Sequence, residues 1–356
     1  MKKIIKLLFI SVLALGLVAC SGNDGKQTNT KKITVGFVTD TGGIDDKSFN
    51  QTSYEGAKKF AEEANLTIGE DLKYLQSKSE SDYIPNLSAF AGENVDIEIA
   101  AGFLFANSIK KTADTYPNQK MLIIDVGWLD AAKYPNVQQA VFSEHEGSFL
   151  VGVVAGLKAK EAGKDTVGYI TGQESETMEK FEAGYEQGVW AVYPECKILR
   201  ENINDFTSAE KGKAAAQKQF GAGAYIVFHA AGGSGNGVIQ EAAVRRDNGE
   251  DVWAIGVDTD QYELGKYGKE NKSAVLTSMM KRVDVAAYNA CKAVAEGTFK
   301  GGVVEYTLKD GGVSLPAENP NVDKAIIDKV EEFKQKIISG EITVSKKSTK
   351  SVEKPQ

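Results

Sequence analysis

Short apolar runs alternate along this chain with longer runs in which apolar residues recur every three or four positions. ITVGFVTD (33–40) has the first pattern and predicts a strand that ends in a turn. Residues 49–64 have the second, with Tyr54, Ala57, Phe60, Ala61 and Ala64 on one helical stripe. The alternation continues with strands at 71–77, 95–100, 120–128 and 137–143, and helices at 83–90 and 107–116. It then starts again. Helices are expected at 146–161, 177–192, 208–220 and 237–246, and strands at 166–172, 196–202, 224–230 and 252–258. A short strand at 274–277, a helix at 283–295, a strand at 302–306 and a last helix near 323–338 follow.

Strand–helix alternation of this kind implies parallel sheets covered by helices on both faces. Its restart near residue 143 implies two such units, which suits the length. The expected fold is α/β, with two doubly wound parallel-sheet lobes around a ligand cleft. The division expected is 33–142 plus 259–298 for lobe 1, 143–258 plus 299–340 for lobe 2, and a polar tail at 341–356. In open sheets of this type ligands sit outside the carboxyl ends of the strands. Polar clusters fall on those rims at 40–50, 125–128, 173–181, 229–236 and 258–261.

The amino terminus changes the picture. Lys2, Lys3 and Lys6 precede an apolar stretch at 7–15, interrupted only by Ser11. A membrane span needs about 20 apolar residues, so residues 1–19 read as an export signal rather than as a membrane anchor. Leu17-Val18-Ala19-Cys20 resembles the bacterial lipobox, which implies cleavage before Cys20 and lipidation of its thiol. Residues 21–32 contain no apolar side chain and read, with Cys20, as a lipidated flexible tether (20–32). The mature protein is then expected on the extracytoplasmic face of the cell membrane, held by its N-terminal lipid. Cys196 and Cys291 fall in a predicted strand and a predicted helix, and buried free thiols are expected there. Two histidines and no cysteine cluster leave little for a zinc site. A net charge of −7, which becomes more negative once three signal-peptide lysines are removed, argues against nucleic acid as a partner.

The glycine-rich and acidic stretches complete no enzyme motif. AAGGSGNG (230–237) places Val238 where the third glycine of a dinucleotide fingerprint belongs, and Asn236 where a nucleophile elbow needs glycine. No phosphate-binding loop occurs: Gly212-Lys213 is followed by Ala214. Asp45 and Asp46 are adjacent on a turn, where side chains usually point apart, whereas glycoside hydrolysis needs two carboxyls flanking one bond.

The stretch TDTGGIDDKSFNQ (39–51), between a strand and a helix, resembles the basic membrane protein family of bacterial lipoproteins, and in particular its purine nucleoside receptors. IIDVGW, SETMEKFEAGYEQGV, HAAGGSGNGV, AIGVDTDQ and TSMMKRV extend the resemblance over nearly all of the mature chain. It implies the type I periplasmic-binding-protein fold and a substrate-binding component of an ABC importer, working with permease and ATPase subunits. It also implies capture of adenosine, guanosine or inosine, without cofactor or catalysis. The alternatives are a binding protein for a sugar or other small metabolite, and a tethered nucleoside or glycoside hydrolase.

The residues agree with that implication. Phe49 and Phe181 are expected to sandwich the base, the competing reading being two core residues at helix starts. Asp125 and Asp40 end strands at the rim and can accept from a purine edge, although Asp also forms turns there. Asp46 and Asn50 offer further base or ribose contacts, with helix capping as the alternative. Asp258 and Lys281 suit ribose hydroxyls as acceptor and donor; a hinge turn and a solvated lysine are the plain readings. Gly232 and Gly233 would let backbone amides approach the ribose.

Overall fold

The protein is seen in a computed structural model that describes residues 31–349 apart from Asn271. The export signal, Cys20 and most of the tether lie outside the described residues. The chain opens with β1 (Val35–Thr39), α1 (Phe49–Glu63), β2 (Leu72–Gln76), α2 (Tyr83–Gly92), β3 (Ile97–Ala100), α3 (Ala106–Thr115), β4 (Met121–Ile124) and β5 (Val137–Phe142). It continues with α4 (Glu144–Glu161), β6 (Thr166–Thr171), α5 (Glu176–Val192), β7 (Lys197–Asn202), α6 (Ala209–Gly221), β8 (Ile226–Ala230), α7 (Gly235–Asp247) and β9 (Trp253–Asp258). A small hairpin, β10 (Lys266–Tyr267) and β11 (Lys272–Ser273), precedes β12 (Val275–Lys281) and α8 (Val283–Ala295). Then come β13 (Gly302–Tyr306), β14 (Val313–Ser314) and α9 (Lys324–Ile338).

Two six-stranded sheets result, in the orders β13-β5-β4-β3-β1-β2 and β14-β12-β9-β8-β6-β7. Apart from the edge strand β14, which runs antiparallel to β12, the pairings in both sheets are parallel. Their five shared positions follow one winding, so β4 of the first sheet corresponds to β9 of the second. The central strands β1, β3, β4, β6, β8 and β9 are buried along their whole length, as near-continuous apolar runs require in sheets covered on both faces.

Residues 259–281 and 302–306 lie in the opposite lobe from the one expected, the stretch 259–274 packing with α7 and β12 of the second lobe. β12 pairs with β9, so residues 275–281 belong to the second sheet, and β13 pairs with β5, so residues 302–306 belong to the first. Helix α8 does pack on α1 of the first lobe. The chain therefore crosses between lobes three times: after Phe142, after Lys281 and after Tyr306. The crossings hold one another, since the Ser143 amide donates to the Tyr306 carbonyl at 2.9 Å and the Leu308 amide to Glu146 Oε2 at 2.9 Å.

The expected polar tail is also different. Residues 344–349 lie along α5, where Gln187 exchanges hydrogen bonds with Ser345 and the Thr349 hydroxyl donates to Glu186 at 3.0 Å. Val344 and Ser348 are buried there. At the other end, the Lys31 amide donates to the Ala295 carbonyl at 3.3 Å, at the pole of the first lobe where β1 begins. Among the described residues, Cys196 and Cys291 are both buried and unbridged.

Candidate functional site

The carboxyl ends of both sheets face one cleft, which holds a cavity. Its walls include Asp40, Asp46, Phe49, Asn50, Asp125, Phe181, Gly232, Gly233, Asp258 and Lys281. The structure thus brings all ten residues singled out in the sequence to one place.

The turn after β1 is built around two carboxylates. Asp46 accepts from the amides of Ser48 (2.9 Å), Asn50 (2.8 Å) and Gln51 (3.0 Å), so it caps α1. Asn50 bridges the turn by donating to Asp40 Oδ1 at 2.7 Å and to Asp46 Oδ2 at 3.0 Å, while its own oxygen accepts from the Asp40 amide. These bonds fix Phe49 at the first residue of the helix, half-buried at the cavity wall. Asp45 is exposed whereas Asp46 is buried, so the two carboxyls do point apart. Lobe 2 grips the same turn: Asn236 donates to the Asp46 carbonyl (2.9 Å), Gln261 to the Lys47 carbonyl (3.0 Å), and Ser48 donates to Asp258 (2.5 Å).

Asp125 and Asp258 occupy corresponding places, just after β4 and at the end of β9. Both take the left-handed backbone conformation, with φ of 67° and 68°. Outside glycine this conformation is uncommon, and Asp is among the residues that tolerate it. Here it turns both carboxylates out of their strands into the cleft. Between them stands Lys281, the last residue of β12 and 1% exposed. Its ammonium lies 2.6 Å from Asp125 Oδ1 and 3.1 Å from Glu144 Oε1, and within 5.1–5.5 Å of the ring centres of Phe49, Phe142 and Phe181. Burial works against its charge, but Asp125, Glu144 and Asp258 outweigh burial and hold the ammonium above the usual lysine range. Burial raises Asp125 against the pull of Lys281. Burial likewise brings Asp258 up to about 7 and Asp40 up to about 6, the hydrogen bonds of Ser48 and Asn50 opposing it.

Phe181 is not the free plate that was expected. It is 1% exposed and packs in the core beside Phe228, with ring centres 6.5 Å apart, so it forms the floor of the cavity. The aromatic face that the sequence reading passed over is Phe206, half-buried on the loop after β7. Ser234 secures that loop by donating from its amide to the Phe206 carbonyl (3.0 Å) and from its hydroxyl to the Asp205 carbonyl (2.9 Å). Phe206 meets Phe103 of lobe 1 edge-on, with centres 6.1 Å apart. Gly102, Leu104, Met178, Ala231 and Val257 complete an apolar lining that was not foreseen. Gly232 has φ of 50°, and a side chain on Gly233 would come within 3.3 Å of the Phe206 carbonyl, so both glycines keep the phenylalanine loop close. His229 lies fully buried beneath α7, and Trp128 is 57% exposed on the outer surface. Among the described residues no group of three or more His, Cys, Asp or Glu could hold a metal ion, and no helix is long and apolar enough to cross a membrane.

Residues 33–348 match the family of PnrA-like ABC transporter substrate-binding proteins. The chain belongs to that family. Over 354 residues it is 38% identical to a CD4+ T-cell-stimulating antigen of Listeria innocua, covering 96% of this chain and 97% of the relative. It is 35% identical to the ABC transporter nucleoside-binding protein BmpA of Lactococcus lactis, covering 98% and 100% of the two chains. An ABC transporter solute-binding protein of Aeropyrum pernix superposes with a TM-score of 0.73 at 29% identity, covering 87% and 92%. The chain is thus an ABC transporter substrate-binding protein with the type I periplasmic-binding fold.

Proposed function

We propose that this protein captures purine nucleosides between its lobes and delivers them to the permease of an ABC importer, without chemically changing them. The observation that carries this reading is the composition of the cavity. Phe49 and Phe206 line it from opposite lobes and offer faces to a flat base, a type of contact worth about 1–3 kcal/mol per base. Asp125 and Asp40 offer acceptors to a purine edge, and Asn50, whose two amide protons go to Asp40 and Asp46, holds those carboxylates in place. Asp258 and Lys281 present an acceptor and a donor to vicinal hydroxyls. Four carboxylates against one ammonium make the cavity a poor host for phosphate, so nucleosides suit it better than nucleotides. The named nucleoside-binding relative from Lactococcus lactis agrees with this assignment.

Calorimetric titration with inosine, adenosine and guanosine, set against thymidine, free bases and sugars, tests the proposal. Saturable binding of the purine nucleosides with recovery of intact ligand is expected. Equal binding of thymidine would remove the purine assignment, and release of free base would make the protein a hydrolase. The lipid anchor is proposed on the sequence of residues 1–20. Cys20→Ser should shift the protein from the membrane fraction to the soluble one, and unchanged fractionation would refute the anchor.

A further inference from the structure

Lys281 is ion-paired on two sides, and of those two carboxylates one faces the cavity. Asp125 does so. Glu144 does not: it is 1% exposed, lies behind the ammonium, and is absent from the cavity wall. As the first residue of α4, two positions after the chain leaves the first sheet, its carboxylate sits at a helix amino terminus, where negative charge is favoured. Its other oxygen, Oε2, lies 3.4 Å from the ammonium of Lys180 on α5. The two helices are locked at this level because Gly184 of α5 rests on the His145 carbonyl, and any side chain there would collide with that backbone. Glu144 is therefore a fixed anion clasped between two lysines.

An ammonium has three donor directions. The Lys281 ammonium lies within ion-pair distance of Asp125 and of Glu144, and two such partners leave it room for a third in the cavity that it lines. Asp125 is a shared partner, because it also faces the ligand and belongs to the other lobe. A ligand that draws on Asp125, or an opening of the lobes, would weaken its hold on the ammonium. Glu144 moves with the lobe that carries Lys281 and keeps its hold in either event.

We infer that Glu144 is a positioning residue, which aims the third donor of Lys281 at the hydroxyls of the ligand and so sets the preference for a sugar with vicinal hydroxyls. The inference rests on the nucleoside reading given above.

The test compares the affinities of the full mature chain for inosine and for 2′,3′-dideoxyinosine, which keeps the base but lacks both hydroxyls. Wild type should favour inosine. Glu144→Gln should weaken inosine binding by about tenfold, the scale of a charge-assisted hydrogen bond, and leave 2′,3′-dideoxyinosine unchanged. Lys180→Met removes the other partner of Glu144 and should keep the wild-type preference. A purely structural role for the cluster would instead move both ligands together in both variants. Glu144→Gln combined with Lys180→Met leaves the charge of the cluster balanced. This double variant should also lose the preference, and it serves where Glu144→Gln alone does not fold. If wild type discriminates and the Glu144 variants discriminate equally well, the role of Glu144 is overturned while the nucleoside reading stands. If wild type binds inosine and 2′,3′-dideoxyinosine equally, the assignment of Lys281 to hydroxyls fails and this inference falls with it. If wild type binds neither, the nucleoside reading itself is wrong.

Discussion

The hydroxyl of Ser48 in lobe 1 donates to the carboxylate of Asp258 in lobe 2 across 2.5 Å. With the bonds from Asn236 and Gln261 it holds the turn after β1 against the second lobe. Removing the hydroxyl should loosen that hold. Ser48→Ala is expected to increase the radius of gyration of the ligand-free protein in small-angle scattering, with saturating ligand restoring the wild-type value. Identical scattering curves for the ligand-free forms would show that closure does not depend on this contact.

Phe206 and Phe181 should separate by what their loss damages. Phe206→Ala removes an exposed face and is expected to weaken inosine binding by about tenfold to a hundredfold, with little change in unfolding. Phe181→Ala leaves a hole beside Phe228 and should cost about 3–5 kcal/mol of stability. Titration calorimetry paired with denaturant unfolding reads both. The reverse pattern would return Phe181 to the role of plate.

Asp258 and Asp40 titrate at about 7 and about 6, above ordinary carboxyls because they are buried. The folded protein therefore keeps protons that the unfolded chain has already released. The stability these protons contribute is complete below about pH 4 and is lost as the pH rises towards about 7. Between those limits Asp258→Asn should flatten the decline of the ligand-free protein by up to about 1.4 kcal/mol per pH unit, one proton's share. Melting curves of both proteins from pH 4 to 8 check this, and parallel pH profiles would contradict it.

Glu98 gives a second pH signature, away from the cavity. It lies fully buried in β3, neither carboxyl oxygen has a hydrogen-bond partner among the described residues, and burial pushes it up to about 8. Here too the unfolded chain releases its proton first, so the site destabilises the fold progressively from about pH 4.5 to about pH 8. Glu98→Gln should stabilise the protein by about 1–3 kcal/mol at neutral pH and have almost no effect near pH 4. Equal stabilisation at both pH values would mean that packing, not ionisation, sets the cost.

The regular elements were legible because apolar spacing reports them directly, and the crowded turn at 39–51 announced a site because its polar residues exceed what a strand–helix connection needs. Lobe membership of β12 and β13 was not legible. Spacing describes an element's own faces and says nothing of which sheet it joins after a crossing. Phe181 carried a usable warning, since Met178, Tyr185 and Val189 share its helical stripe and all are buried. Phe206 carried the opposite signal, a lone aromatic among Asn204, Asp205, Thr207 and Ser208, as Phe49 is between Ser48 and Asn50. The docked segment 344–349 has no periodicity to detect, and its anchorage depends on Glu186 and Gln187, more than 150 residues away in sequence.

The bond between Lys31 and Ala295 sets how the molecule can be mounted. β1 runs from that bond to Asp40 in the cavity, so the chain enters lobe 1 at the end farthest from the opening. A surface that held the chain at Lys31 would meet lobe 1 at the pole opposite the cavity. The lobe that is held is the first, and the one left free to swing is the second. A sensor chip coupled at that end would leave the cleft unobstructed, and a reporter dye on lobe 2 would register each capture as a displacement relative to the surface.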